Sequence, residues 1–583
     1  MPTIVHVTHE ALIKIGGIGA VLDGLLTSRT YQNTFARNIL VGPLWEVGKP
    51  VAELMGPGGE VLYSGPEGIR KHPLSPRFAE IEREFGCGLV YGRRTVTDPV
   101  SGITATPEIL LLAVNTYNPT KINEFKAMLF KRFGIESMRY EHIWDYEQYC
   151  RIAWPTLAAV EALTANPADP IVIMAHEYMG MPTALAAIAA NPERYRTIFY
   201  AHEVAPIRRI VEEQPGHDTM FYNALRSAEA QKLYVDAVFG DPSDYYKHPL
   251  VKAARLCDNI FAVGDYVKRE LQFLNDAFDD VSIDIAYNGV PFVPITLAEK
   301  MASKARLQRY CHNLLGYTPD YVLTHVTRMV PSKGLWRDNL VMVELDKHLQ
   351  KSGQTAVLLV LSTEPGKRSE KDVQHMEKWH HWPVAHREGY PDLTGGEAGF
   401  YAGVQYANVL SRNAKVIYIN QFGFNRAVCG SRMPAEVEFA DIRHGSDVEF
   451  GQSIYEPFGI AQVEPIGFGG ICVYTEICGC AGFVRLAAGN QPVRNALEVD
   501  YTQLPAGTPH DLASLLKMTK EQREAIEASC AVEIAAELFA RLPKNKADYA
   551  SLLKQAHHLG SHMSWDAVAQ LFVVPGIQKT LQR

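Results

Sequence analysis

The stretch "KIGGIGAVLDG" (residues 14–24) follows the first apolar run of the chain and indicates how the fold begins. The run before it, "TIVHVTHE" (residues 3–10), alternates β-branched residues with His and Thr, as a strand does. The segment after it, "AVLDGLLTSRT" (residues 20–30), has apolar residues at helical spacing. The glycines therefore lie at a strand-to-helix turn, the repeating joint of an open α/β sheet.

A turn of this kind is suited to holding an anion. Backbone N–H groups at a helix N-terminus favour negative charge. Gly16 and Gly17 have no Cβ, so a ligand can approach the chain there, and Lys14 adds a positive charge. Taken alone, the stretch fits a tight turn with an exposed lysine equally well, because it matches neither GxGxxG nor the GK[ST] phosphate loop.

The bulk properties are those of a large globular protein. The 583 residues, 47% apolar and 21% charged, exceed one hydrophobic core and predict two large domains. A net charge of −8 and the lack of a long basic block argue against a nucleic-acid partner. No secretory leader or membrane-spanning run is evident, and the nine cysteines are scattered. We therefore expect a cytoplasmic protein without a membrane partner, with homo-oligomerisation left open.

Short apolar runs alternate with helical segments along both halves of the chain, which predicts an α/β fold with parallel sheets covered on both faces. We expect two Rossmann-like domains, residues 1–300 and 301–555, and a helical segment, 556–583, that packs back on the body. Ligands bind at the carboxyl ends of such strands, so the active site is expected in a cleft between the domains. The predicted strands are 170–177, 197–203, 259–265, 283–290, 321–329, 356–362, 415–422, 447–453 and 470–476.

Three further segments complete this prediction. A helix is expected from about Lys520 to Leu542, and the polar, helical stretch 291–318 holds the expected domain junction. Residues 50–145 show little pattern apart from "PTKINEFKAMLFKRFG" (residues 119–134), which is helical in character.

The stretch "TRMVPSKGL" (residues 327–335) is a candidate diphosphate site. Arg328 offers a planar fork of donors and Lys333 a point charge, and both follow a predicted strand. Fixed cations of this kind stabilise a leaving group as charge builds on its oxygens. Two solvated basic residues beside a loop are the alternative.

The stretch "IYEPFGIAQVEPIGFGGICVYTE" (residues 454–476) carries two carboxylates. A helix that opens at Gly459 would form another anion site, with Glu464 between one and two turns along it. Glu464 could accept hydrogen bonds from a ribose, and Glu456, in the preceding loop, from a sugar. Both could instead be surface acids, and glycoside hydrolysis would need a facing pair that spacing on one segment does not show.

No metal site is predicted. Cys478 and Cys480 form a C-x-C pair, but no second Cys/His pair stands at zinc-site spacing. No Asp-x-Asp pair follows a strand to hold Mg²⁺. The cations and helix ends must then neutralise any diphosphate, without a cofactor.

In this order the segments resemble the glycogen and starch synthase group of retaining glycosyltransferases, which have the GT-B fold, across nearly the whole chain. The resemblance lies in "KIGGIG" (14–19), "AHEYMG" (175–180), "FYAHEV" (199–204), "RLCDNIFAVGDYVKREL" (255–271), "YNGV" (287–290), the Arg328–Lys333 pair and "YEPFG…E" (455–464).

The resemblance implies a role for each candidate. It places Arg328 and Lys333 on the donor diphosphate, and Glu456 and His202 beside the transferred sugar. It implies that Lys14, Gly16 and Gly17 reach across the cleft to the donor, and that Glu464 binds on the ribose side. Further donor-binding residues are Gly459, Ile460 and Thr475, and acceptor-side residues are His176 and Glu177. His9 and Glu10 receive no role.

The resemblance implies a metal-independent hexosyltransferase of glycogen biosynthesis. It would move glucose from UDP- or ADP-glucose to the non-reducing end of an α-1,4-glucan, with retention at the anomeric carbon. The alternatives are a retaining transferase that makes a small glycoside or disaccharide, a sugar-nucleotide epimerase of the same fold, and a catalytically silent carbohydrate-binding relative. The joint presence of Lys14, Arg328, Lys333, Glu456 and Glu464 argues against the silent relative.

Overall fold

The computed structural model describes residues 2–14, 16–45, 49–164, 166 and 168–583. The chain divides into two compact units. Met1–Ile207, Leu233–Gly289 and Trp565–Arg583 form unit 1. Arg208–Lys232 and Val290–Ser564 form unit 2.

Unit 1 is built on a sheet with strand order β12-β11-β10-β9-β1-β2-β8-β5-β3-β4. The strands of this unit, with the small β6–β7 pair, are β1 (Thr3–Val7), β2 (Asn38–Pro43), β3 (Glu60–Ser64), β4 (Ile69–Arg70), β5 (Gly88–Arg93), β6 (Val96–Thr97), β7 (Thr104–Ala105), β8 (Glu108–Ala113), β9 (Ile171–His176), β10 (Tyr195–Ala201), β11 (Asn259–Ala262) and β12 (Ile283–Ile285). The four strands predicted in the first half of the chain are confirmed as β9 to β12.

One part of this sheet departs from the predicted parallel arrangement. From β12 to β8 all neighbours are parallel. Strands β5, β3 and β4 extend it antiparallel. They come from residues 50–145, where β3 and β4 are short and have polar ends, whereas the apolar run of β8 in the same region was not identified as a strand from the sequence.

Unit 2 is built on an all-parallel sheet with order β15-β14-β13-β16-β17-β18. Its strands are β13 (Tyr321–Val326), β14 (Ala356–Leu361), β15 (Ala414–Ile419), β16 (Val448–Gly451), β17 (Ile471–Thr475) and β18 (Ala496–Val499). Alternate residues enter opposite apolar clusters, Leu323 and Leu358 on one face and Val322 and Val357 on the other. Both faces are therefore covered, as the continuous apolar runs predict. Only the short edge strand β18 was not predicted.

The helices, in chain order, are α1 (Gly17–Thr27), α2 (Arg29–Thr34), α3 (Val51–Met55), α4 (Ser75–Phe85), α5 (Pro119–Phe133), α6 (Trp144–Leu163), α7 (Glu177–Ala190), α8 (Ala205–Glu213), α9 (His217–Gln231), α10 (Val235–Phe239), α11 (His248–Ala253), α12 (Asp265–Leu274), α13 (Leu297–Leu315), α14 (Leu335–Ser352), α15 (Glu370–His380), α16 (Gly396–Leu410), α17 (Arg426–Cys429), α18 (Phe439–Gly445), α19 (Ile460–Val463), α20 (Gly479–Ala487), α21 (Leu512–Leu515), α22 (Lys520–Arg541), α23 (Lys546–Met563), α24 (Trp565–Val568) and α25 (Val574–Leu581). The predicted helices at 119–134 and from Lys520 are confirmed as α5 and α22.

The units differ from the sequence-based ranges 1–300, 301–555 and 556–583 at the C-terminus and at Arg208–Lys232, which belongs to unit 2. Helix α23 belongs wholly to unit 2, and the chain enters unit 1 at Trp565. The Trp565 indole packs against two glycines. A Cβ on Gly24 would lie 2.0 Å from this indole, and a Cβ on Gly289 would lie 2.4 Å from it. Asp566 accepts hydrogen bonds from Ser28 Oγ (2.6 Å) and the Thr30 N–H (3.0 Å). These contacts, which join distant parts of the chain, set the boundary.

A buried ion cluster ties residues 208–232 into unit 2. The guanidinium of Arg337, on α14, is fully buried and donates to both carboxylate oxygens of Asp218 (2.7 and 2.9 Å). Its Nε donates to Glu527 Oε1 at 2.9 Å, and its Cζ lies 3.8 Å from the centre of the Tyr501 ring. One cation thus holds α9, α14 and α22 together.

Arg337→Ala is expected to lower the free energy of unfolding by about 3–5 kcal/mol, because it leaves the buried Asp218 carboxylate without its cation and leaves Glu527 with only the more distant Arg523, at 3.6 Å. Urea unfolding measures the loss. The matched control is Arg309→Ala, since the Arg309–Glu436 pair is exposed and such pairs contribute about 1 kcal/mol or less. Equal losses in the two variants would contradict the assigned weight of the cluster.

Candidate functional site

The predicted donor-side residues follow neighbouring strands of unit 2. Arg328 lies just after β13, Glu456 lies in the loop after β16, and Thr475 ends β17. These strands are adjacent and parallel, so their carboxyl ends meet at one edge of the sheet. The fold therefore brings together segments that are far apart in the sequence.

Lys333 and Glu456 form an ion pair at this edge. Their side chains are only 12% and 13% exposed. The carbonyl of Ser332 accepts hydrogen bonds from the N–H groups of Ile454 (2.9 Å) and Tyr455 (3.2 Å), which fastens one loop to the other. A cation and a carboxylate that the sequence presents separately are thus held face to face.

Gly334 allows this approach, and the sequence reasoning did not single it out. Its φ of 58° lies in the left-handed region, and a Cβ would stand 2.5 Å from the Gln452 carbonyl oxygen. The signal available in the sequence was the Lys-Gly step at the start of α14.

Arg328 is exposed, and its guanidinium makes no hydrogen bond or ion pair with any residue that the structure describes. An anion that reaches this edge of the unit 2 sheet therefore meets one unpaired cation, Arg328, and one paired cation, Lys333.

Helix α20 anchors the Glu456 loop through its first N–H groups. Gly479 donates to the Glu456 carbonyl (3.1 Å) and Cys480 to the Phe458 carbonyl (2.9 Å). Cys478 and Cys480 are buried free thiols. The hydroxyl of Thr475, a predicted donor-binding residue, donates to the Ser453 carbonyl at 3.1 Å, so this side chain supports the loop.

A helix does open at Gly459, which caps α19, but the prediction that Glu464 lies inside that helix is wrong. Helix α19 spans only Ile460–Val463, and Glu464 begins a 3₁₀ segment, Glu464–Phe468. The backbone leaves ideal α geometry at Val463 (φ −116°, ψ −1°), and Pro465 has no N–H with which to continue the α-helical hydrogen bonds. A four-residue helix carries little of the dipole on which the second anion site was based.

Glu464 is held by an arginine that the sequence reasoning missed. Arg443 Nε lies 2.9 Å from Glu464 Oε2, and Arg443 Nη1 lies 3.2 Å from Glu449 Oε1. Burial raises the pKa of Glu449, against the effect of Arg443. No recognisable sequence motif links Arg443 to Glu449 or Glu464. Only the packing of α18 on the sheet shows the contact.

Three histidines of unit 1 stand on neighbouring strands. His6 lies in β1, His176 ends β9 and His202 follows β10. His176 Nδ1 is 2.8 Å from His202 Nε2, and His176 Nε2 is 3.0 Å from His6 Nδ1. Burial lowers the pKa of His6 to about 4 and, with His9, that of His202 to about 3. Burial also lowers the pKa of His176 well below its usual value.

Glu177, the other predicted acceptor-side residue, positions His202. Its carboxylate accepts hydrogen bonds from the N–H groups of His202 and Glu203, the latter at 2.6 Å. Burial and the nearby Glu203 raise the pKa of Glu177 well above its usual value. Its φ of 60° is strained for a residue other than glycine, and these two bonds compensate for that strain.

The glycine turn of unit 1 binds a carboxylate of the protein itself. The expected strand-to-helix joint is confirmed, since β1 ends at Val7 and α1 begins at Gly17. The buried Glu10 carboxylate accepts hydrogen bonds from the N–H groups of Gly16 (2.7 Å) and Gly19 (2.9 Å). Glu10, which received no role from the sequence, thus occupies part of the anion site predicted at the start of α1.

Other features of the described residues lie apart from these candidates. A cavity of about 840 Å³ in unit 2 is lined by residues within 497–509 and 514–537 and includes none of them. The described residues contain no cluster of three or more His, Cys, Asp or Glu that could hold a metal ion. No helix among them is both long and apolar enough to span a membrane.

The two-unit architecture and the parallel sheets are those of the GT-B glycosyltransferase fold. No protein-family model matches the sequence, and comparison with curated proteins finds no significant relative. The chain is similar to the catalytic domain of starch synthase IV from Arabidopsis thaliana, solved with ADP and acarbose, at 14% identity and a TM-score of 0.51, over 100% of this chain and 99% of the other.

Two other solved structures show the same fold. A UDP-forming α,α-trehalose-phosphate synthase from Burkholderia xenovorans, in complex with glucose-6-phosphate, is 13% identical, with a TM-score of 0.50 over 100% of both chains. A sucrose-phosphate synthase from Thermosynechococcus elongatus is 14% identical, with a TM-score of 0.50 over 100% of this chain and 99% of the other. At these identities the likeness establishes the fold.

Proposed function

We propose that this protein is a retaining glycosyltransferase that moves glucose from UDP- or ADP-glucose to the non-reducing end of an α-1,4-glucan. The observation that carries the proposal is the Lys333–Glu456 pair beside Arg328 at the carboxyl edge of the unit 2 sheet. Cations suited to a diphosphate and a carboxylate suited to a sugar lie there together.

The chemistry follows from these charges. The bond between the anomeric carbon and the donor phosphate oxygen breaks, and the acceptor oxygen takes its place on the same face of the sugar. The proton of the acceptor hydroxyl passes to the leaving diphosphate. Arg328 and Lys333 stabilise the charge that builds on the leaving diphosphate. Glu456 accepts hydrogen bonds from the sugar and offsets the positive charge of an oxocarbenium-like transition state. Because Lys333 contacts Glu456, a bound donor must share or replace that contact.

Unit 1 supplies the remaining proposed groups. His202, held through its ring by His176 and through its N–H by Glu177, contacts the transferred sugar. Lys14 and the glycine turn bind the donor. Cations take the place of a metal ion, so no cofactor is needed. His176 and Glu177 act on the acceptor side only through the residues they hold, since both are buried.

A small sugar or sugar phosphate is the second candidate acceptor. The trehalose-phosphate synthase structure with glucose-6-phosphate and the starch synthase structure are about equally similar to this chain, with TM-scores of 0.50 and 0.51. The fold does not choose between such acceptors.

A donor and acceptor panel tests the proposal. UDP-, ADP- and GDP-glucose are each incubated with glycogen, with glucose-6-phosphate or with neither, and release of the nucleoside diphosphate is measured with and without EDTA. We expect release that depends on glycogen and survives EDTA. Release with glucose-6-phosphate alone selects the second acceptor. An epimerised sugar nucleotide, or no turnover with any donor, would overturn the proposal.

Gly17→Ala is expected to raise the KM for the donor about tenfold without lowering the melting temperature. A Cβ on Gly17 meets no described residue within 4 Å, so the change leaves the described packing intact and an approaching ligand would encounter the new methyl group. A loss of about 1.4 kcal/mol of donor binding corresponds to this factor. Steady-state kinetics and thermal unfolding are the measurements.

The matched variant is Gly19→Ala. A Cβ there would lie 2.6 Å from Glu10 Oε2 and 3.1 Å from Lys14 Cα, so this change should lower stability as well as activity. An unchanged KM in Gly17→Ala would remove Gly17 from the donor site.

A further inference from the structure

An unbroken chain of side-chain hydrogen bonds crosses unit 1 and ends at His202. Asn38 Oδ1 is 2.9 Å from the Tyr31 hydroxyl, which is 3.2 Å from His6 Nε2. His6 Nδ1 is 3.0 Å from His176 Nε2, and His176 Nδ1 is 2.8 Å from His202 Nε2. Which atom donates in each of these hydrogen bonds follows from Asn38, at the end of the chain opposite His202.

Asn38 sets that direction. Its Nδ2 donates to the Phe35 carbonyl at 2.9 Å. If the amide were flipped, the Asn38 oxygen would lie at that distance from the Phe35 carbonyl oxygen, and both atoms are acceptors. Asn38 Oδ1 is therefore the atom that faces Tyr31, and the Tyr31 hydroxyl donates its only proton to it.

The protons of the three histidines follow in order. The Tyr31 oxygen has no proton left for His6, so it accepts one from His6 Nε2. A neutral imidazole carries a single N–H, which leaves His6 Nδ1 as an acceptor for His176 Nε2–H. In the same way His176 Nδ1 accepts from His202 Nε2–H. The lowered pKa values of His6, His176 and His202 agree with three neutral rings.

His202 Nδ1 is left over at the end of the chain. It has no hydrogen-bond partner within the described ranges, and His202 is only partly buried. This nitrogen carries no hydrogen and can only accept a hydrogen bond.

We propose that this chain locks His202 as the Nε2–H tautomer, so that its Nδ1 selects a substrate sugar by accepting a hydrogen bond from one of its hydroxyl groups. This rests on the proposed function. His202 is then a specificity-determining residue, and His6, Tyr31 and Asn38 are positioning residues that act through it. A sugar with fluorine or hydrogen in place of that hydroxyl offers no proton and binds less well.

The tautomer is tested by NMR on the full-length protein without substrate, which does not depend on activity. Nitrogen-15 labelling of histidine and long-range ¹H–¹⁵N correlation identify which ring nitrogen carries the proton, and His202→Gln assigns the signal. We expect an unprotonated Nδ1 in His202. An Nδ1–H tautomer, or a charged ring at neutral pH, would overturn the inference even if the protein proved to be a transferase.

Variants test whether the chain imposes that tautomer. Tyr31→Phe, or Asn38→Leu if the first variant does not fold, removes the fixed end, and His202 should then show both tautomers. The control is Tyr200→Phe. This variant removes the hydroxyl of another buried tyrosine, whose ring stacks on His202 (4.5 Å between ring centres), yet it leaves the hydrogen-bond chain intact. An unchanged tautomer in both Tyr31→Phe and Asn38→Leu would contradict the role of the chain.

Kinetics then test the specificity. We expect Tyr31→Phe to lower kcat/KM for glucose donors about two- to tenfold, the range for one hydrogen bond. A set of monodeoxy and deoxyfluoro glucose donors should contain one position at which Tyr31→Phe has no further effect, because the hydroxyl that meets His202 is already missing. An equal loss with every donor would mean that the chain only stabilises the fold.

Discussion

Lys333→Ala is expected to lower kcat by about 10²–10³, the scale set by losing one preorganised donor to a developing negative charge. In the proposed mechanism the ammonium group acts on the leaving diphosphate, whose charge is greatest in the transition state. Nucleoside diphosphate release under saturating donor measures the effect. Near-full activity would remove Lys333 from the mechanism.

The ion pair with Glu456 makes a stability control necessary. Lys333→Ala leaves the Glu456 carboxylate, 13% exposed, without its cation, so part of the effect could come from the fold. Arg328→Ala separates the two causes, because Arg328 is exposed and has no partner among the described residues. It should lose activity on the same scale with no change in melting temperature. Lys347→Ala, on the exposed face of α14, should change neither.

Glu456→Gln is expected to lower kcat about 10²-fold while the donor KM changes little. In the proposed mechanism the carboxylate offsets positive charge on the sugar, and that charge develops only near the transition state. Steady-state kinetics with a full donor titration give both parameters. The double variant with Lys333→Ala should lose less than the product of the single losses, because the two side chains are in contact.

The matched variant Glu464→Gln should show the opposite pattern, a donor KM raised about tenfold with kcat nearly unchanged. Glu464 is held by Arg443 and is proposed to bind the ribose, whose contacts are the same in the ground and transition states. The reverse pattern, or equal effects of both variants on one parameter, would show that these roles are wrongly assigned.

The sequence was sufficient for the parts of the fold whose signal is local. The runs at 321–329 and 356–362 are apolar throughout because both faces of the unit 2 sheet are covered. Helix α22 was predicted from its own apolar periodicity. Within residues 50–145, the short antiparallel strands β3 and β4 differ little from loops in composition. The apolar run of β8 was a usable signal that the sequence analysis did not take up.

The positions of the candidate residues in the fold were predicted in part, and their roles stay predictions. Arg328, Lys333 and Glu456 follow strands, and position after a strand can be inferred from the pattern of the chain. The contacts of Glu464 with Arg443, and of Glu10 with Gly16 and Gly19, had no such signal. Polar residues form such contacts with the groups that the fold places beside them. The spacing of these residues along the sequence does not predict which groups those are.

By itself, then, the sequence determined the α/β class, most strands of the two sheets and the loops that carry the charged candidates. Only the tertiary structure decided which of these groups meet. His6, His176 and His202 come together because β1, β9 and β10 are neighbours in the sheet. Lys333 meets Glu456 because β13 and β16 are paired. The physical reason is that a local pattern specifies whether a segment is buried as a strand, whereas strand order depends on the packing of the whole chain.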